Sequence, residues 1–84
     1  MEYIPTQIVS RIEWCRLQQK LASVTQQEQA GWWAEEAGLV DALLGRDRTD
    51  FMREHDPAQF ERYQRGLEDG RTIMRLASQQ RPAA

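Results

Sequence analysis

The chain predicts an all-α fold: a small bundle of three main helices, at about 5–22, 26–44 and 57–78, with a short connector helix near 48–55. Three observations carry that prediction. Apolar residues recur at helical spacing, two start signatures precede such stretches, and a glycine stands where the second stretch should end. At 84 residues the chain forms a single domain, read over 1–84 with a frayed tail at 79–84. A chain this short buries only about 60–65% of its unfolded surface, which limits its core.

The first helix opens at Pro5, which suits a first turn because its missing N–H has no intrahelical partner there. Ile8, Ile12, Cys15 and Ala22 share one face, while Trp14, Leu17 and Leu21 lie nearly opposite. A helix apolar on two sides is either sandwiched in a core or shared between a core and an interface.

The second helix starts at the capping box Thr25-Gln26-Gln27-Glu28. It should run to Leu44, with Gly45 in the left-handed position that follows many helices. Two apolar stripes lie side by side along it: Trp32, Leu39 and Leu43, then Trp33, Ala37, Val40 and Leu44. Adjacent helical residues point about 100° apart, so Trp32 and Trp33 cannot both occupy one narrow stripe. One ring is expected inside and the other at a second surface. A single unbroken helix from Pro5 to Leu44 is the competing arrangement. It ignores the cap and would extend about 60 Å.

Asp47 is placed to cap a short turn carrying Phe51 and Met52. The last helix should begin at Asp56-Pro57-Ala58-Gln59, with Asp56 as N-cap, Pro57 at the first position and Gln59 at the third. Phe60, Tyr63, Leu67, Gly70, Met74 and Ala77 then follow a 3-4-3-4-3 spacing, the seam of a helix packed at a shallow angle. Gly70 and Ala77 lack bulk, so a neighbouring backbone or ring can approach there.

Composition excludes several classes. The chain is 40% hydrophobic and 29% charged, too apolar for a disordered tail and too polar for a membrane protein. The start, Met-Glu-Tyr-Ile-Pro, lacks the features of a signal peptide. One cysteine provides no disulfide framework, so a reducing cytoplasmic setting is expected, bacterial or in a host cell. The formal net charge of −2 disfavours non-specific nucleic-acid binding.

No catalytic residues, metal ligands or cofactors are expected. His55 and Cys15 fall in different elements, and Cys15 shares the apolar face with Ile8 and Ile12, where thiols are inert. Asp47, Asp50, His55 and Asp56 match neither a calcium loop nor a zinc site. The run Gly45-Arg46-Asp47-Arg48-Thr49-Asp50 is no phosphate loop, and reads as an exposed connector or as a surface docking on an acidic partner. Glu35-Glu36 and Glu68-Asp69 diverge on a helix and are read as solvated. The expectation is therefore a non-enzymatic interaction module that binds another protein or itself. Size and composition suit a small regulator or inhibitor of the phage or prophage type. Trp32, Trp33, Trp14, Leu39, Arg46, Arg48 and Tyr63 are the candidate contact residues, since Trp, Tyr and Arg most often anchor interfaces. The alternatives are a structural subunit of a virion or secretion assembly, and a helical DNA-binding regulator.

Overall fold

The structure is a computed structural model and describes residues 4–80 apart from Ala22. The described residues are all-α, with four helices: α1 (Thr6–Lys20), α2 (Gln26–Leu43), α3 (Thr49–His55) and α4 (Phe60–Gln80). A single 3-10 turn, Pro57–Gln59, leads into α4. Among the described residues no strand is present and no helix is long and apolar enough to cross a membrane. The proposed tail overlaps α4 at 79–80, whereas 81–84 lie outside the described residues.

Local chemistry sets the boundaries. Pro5 precedes α1 in an extended conformation rather than sitting in its first turn. The chain leaves helix at Leu21, so the unbroken rod does not form. The capping box closes as expected: Thr25 Oγ1 accepts from the Glu28 N–H at 3.1 Å, and the Glu28 carboxylate accepts from the Thr25 N–H at 3.4 Å. At the other end Gly45 has φ 68°. There the Arg46 N–H donates to the Asp41 carbonyl at 2.7 Å and the Gly45 N–H to the Ala42 carbonyl at 3.3 Å. This 6→1 and 5→2 pair is a Schellman ending, which requires a left-handed residue at the glycine position.

The start of α4 differs from expectation. Asp56 makes no side-chain cap. Its carbonyl accepts from the Gln59 N–H at 3.0 Å, closing a 3-10 turn, and Gln59 is buried instead of reaching back. Asp47 does act near the start of α3, accepting from the Thr49 N–H at 2.8 Å and from the Thr49 hydroxyl.

Packing centres on α2. α1 runs antiparallel to it, with Ile8, Ile12 and Cys15 gathered against Leu39. α4 runs parallel to α2: Gly31 lies by Gln59 and Arg62, Gly38 by Tyr63 to Leu67, and Ala42 by Gly70. A parallel pair needs a return connection, and the 44–59 segment with α3 supplies it. Gly38 on α2 faces the Tyr63–Leu67 backbone, Gly66 on α4 faces the backbone of Glu35, and Gly70 faces Ala42 and Leu39, bringing the two helix backbones into contact. Met52 of α3 packs over this joint with Ala34, Tyr63 and Leu67. The molecule extends 47 × 30 × 18 Å. A helix with its side chains is about 10–12 Å across, so the thin dimension cannot enclose every helix on all sides.

Candidate protein-binding surface

α2 divides its two indoles. Trp32 packs against the Ile8–Ile12–Cys15–Leu39 core, and the Arg62 guanidinium lies over its ring at 4.4 Å from the centroid. Arg62 is held there because its Nε donates to Glu35 Oε1 at 3.1 Å. Trp33, one residue on, is 51% exposed. On the same side of the helix Ala37 and Val40 are partly buried against the two core clusters, and Leu44, just past the helix end, is 62% exposed. The spacing of 4, 3 and 4 keeps these side chains on one face. At its N-terminal end the stripe borders an open groove of about 390 Å³ lined by Gln19, Gln26, Gln29, Ala30 and Trp33.

Polar bonds fix the groove. The Gln29 side-chain amide donates to the Gln19 carbonyl at 3.0 Å, joining the end of α1 to the start of α2. Glu36 accepts from Gln19 Nε2 at 2.7 Å and Arg16 Nε at 2.9 Å. These bonds tie the end of α1 to α2 beside an uncovered indole.

A second apolar stripe lies on α1. Trp14 (49%), Leu17 (53%) and Leu21 are all about half exposed, opposite the face that buries Ile8, Ile12 and Cys15. Trp14, Leu17 and Leu21 follow one another at spacings of three and four residues, on one side of α1.

The remaining candidates separate. Leu39 and Tyr63 are wholly buried; they are core residues with no surface to offer a partner, a correction to the sequence-based expectation. Arg46 and Arg48 stay partly exposed but turn inward onto Asp41. Arg46 Nε donates to Asp41 Oδ1 at 2.9 Å, and Arg48 Nε to Oδ2 at 2.8 Å. Tyr63 Oη also donates to Oδ2, at 2.7 Å, and itself accepts from the Arg48 N–H at 2.9 Å. Burial pushes the Asp41 carboxyl up, but the bonds from Arg48, Tyr63 and Arg46 outweigh it and hold the group below its ordinary value. Burial also pushes the Tyr63 phenol up, as does its bond to Asp41. These arginines therefore organise the 44–49 connector, where two guanidinium groups share the single Asp41 carboxylate and one positive charge is left in excess.

The mid-helix position of Glu35 predicts a solvated side chain, yet it is 3% exposed. It accepts from Arg11 Nη2 at 3.2 Å as well as from Arg62, bridging α1, α2 and α4. Arg11 also reaches Asp69 at 2.9 Å, so Asp69 is not simply solvated either. The Cys15 thiol donates to Glu35 Oε2 at 3.7 Å. Burial first, and the Glu35 carboxylate next, push that thiol up to about 11, which suppresses the nucleophilic thiolate. His55 stacks on Phe51 at 4.2 Å, exposed at the end of α3 and far in sequence from Cys15. Among the described residues no cluster of three His, Cys, Asp or Glu side chains could hold a metal.

Compared with known protein families, characterised proteins and solved structures, the chain matches none of them.

Proposed function

We propose that this chain is a non-enzymatic protein–protein interaction module, and that the outer face of α2 is the surface it presents to another protein. The observation that supports this reading is the outward Trp33 at the head of an apolar stripe on a helix tied to the end of α1. Anchors of this type concentrate binding energy when a partner desolvates them, and truncating one typically costs 2 kcal/mol or more of affinity. The mechanism is steric: seating on a larger protein occludes or bridges its surface. Within that class, a small regulator or inhibitor of phage type working in the cytoplasm accords with the size and composition. A structural subunit of an assembly is the second reading, favoured by the presence of apolar stripes on two different helices.

Affinity capture from the native host, read by mass spectrometry, tests the proposal with Trp33→Ala and Leu44→Glu variants of unchanged helicity. Both should lose the protein that the parent chain retains. Capture that survives both substitutions would rule out the α2 face.

A further inference from the structure

The α1 stripe is a separate surface from the α2 face. Ser10, Trp14, Leu17 and Leu21 follow a 4-3-4 spacing, the seam pattern of two helices packed side by side. Glu13 and Lys20 both flank this seam on the same edge, seven residues apart, and both are exposed. Among the described residues neither takes part in an ion pair, while Arg11 and Arg16 on the same helix are both engaged with other elements.

We propose that α1 pairs with α1 of a second copy of this chain, antiparallel about a two-fold axis near the Trp14–Leu17 span. Self-complementarity of charge selects this occupant. In an antiparallel pair, equivalent edges of the two helices meet, so Glu13 faces Lys20 of the second copy and Lys20 faces its Glu13. A parallel pair would not match these charges across one edge. In the same register Trp14 packs against Leu17 of the second copy, and the small Ser10 leaves room for its Leu21. Only three half-exposed apolar side chains and Ser10 come from each copy, a small contact beside specific interfaces of roughly 1,200–2,000 Å² in total, so pairing is concentration-dependent. This inference names the partner of a face that the proposed function leaves uncommitted, and rests on the interaction-module reading only for its class.

Sedimentation equilibrium of the full chain, from low micromolar to millimolar, tests it. The parent should pass from monomer to a closed dimer and grow no further. Glu13→Lys and Lys20→Glu should each weaken the dimer at least tenfold when alone. An equimolar mixture of the two single variants, and the Glu13→Lys/Lys20→Glu double variant, should both restore it. A parent that stays monomeric throughout, single variants that pair like the parent, or charge reversals without rescue would each overturn the proposal. The result is independent of the α2 face: a monomeric chain that still loses its captured protein on Trp33→Ala would refute the dimer alone.

Discussion

Replacing Gly66 by alanine is expected to destabilise the fold by about 3 kcal/mol, lowering the melting temperature by on the order of 15 °C for a domain of this size. A methyl group at Gly66 would overlap the Glu35 carbonyl oxygen, and one at Gly38 would overlap the Tyr63 carbonyl. Both obstacles are backbone atoms of a packed helix. Neither can turn aside as a side chain can, so α2 and α4 would have to separate along the joint that buries Ala34, Leu39 and Tyr63. Alanine gains about 1 kcal/mol of helix propensity over glycine, which offsets only part of the loss. Gly38→Ala should behave like Gly66→Ala. Gly31→Ala provides the contrast, since its nearest obstacle is a side-chain atom, the Arg62 guanidinium at 3.1 Å, rather than backbone, and it should cost far less. Thermal unfolding followed by circular dichroism measures all three. A Gly66→Ala chain as stable as the parent would show that the helices are not in backbone contact.

Removing the Asp41 carboxylate is expected to cost about 1–3 kcal/mol, the range for leaving a buried polar group without its partner, because Arg46 and Arg48 can turn to water. Asp41→Ala would leave the Tyr63 hydroxyl buried without its acceptor and release Arg46 and Arg48 from the connector. For a domain whose total stability is of order 5–15 kcal/mol, that is a sizeable fraction. Chemical denaturation gives the value directly, and a loss below about 1 kcal/mol would demote the network to surface pairing.

The same carboxylate sets a pH dependence. Its folded-state pKa is lowered, whereas the unfolded chain has an ordinary aspartate near 3.9. Above that value both states are ionised and the stabilisation is fully present. As pH falls, the unfolded chain takes up its proton first, and the contribution is lost through the lowered native value. The parent should therefore lose stability progressively below about pH 4. Asp47, held at about 2 by its bonds from Thr49 and then Arg71, titrates in the same direction. Asp41→Asn should consequently flatten the acid slope without abolishing it.

Much of this fold is legible where the signal is local. The capping box at Thr25 and the left-handed Gly45 are complete within a few residues, and both ends of α2 fall where those residues put them. The split between Trp32 and Trp33 follows from helical geometry alone. What the sequence conceals is everything that depends on a distant partner. Glu35 looks solvated in a one-dimensional reading because Arg11 and Arg62, which neutralise it, lie 24 and 27 residues away. Tyr63 looks available for recognition because nothing nearby in sequence announces that its hydroxyl will meet Asp41. The seam of α4 was traced through Gly70, yet Gly66 makes the tighter approach. The signal that would have revealed it lies on the other helix, in the small residues Gly31, Ala34, Gly38 and Ala42 recurring every three or four positions.

The central claim is that α2 turns one of its adjacent indoles into the core and the other away from it. Acrylamide quenching of two single-tryptophan chains, Trp14→Phe/Trp32→Phe and Trp14→Phe/Trp33→Phe, measures this in dilute solution. Trp33 alone should emit at long wavelength and quench readily, while Trp32 alone, beneath Arg62, should be blue-shifted and shielded. Equal quenching of the two, or a shielded Trp33 in the monomer, would contradict the account.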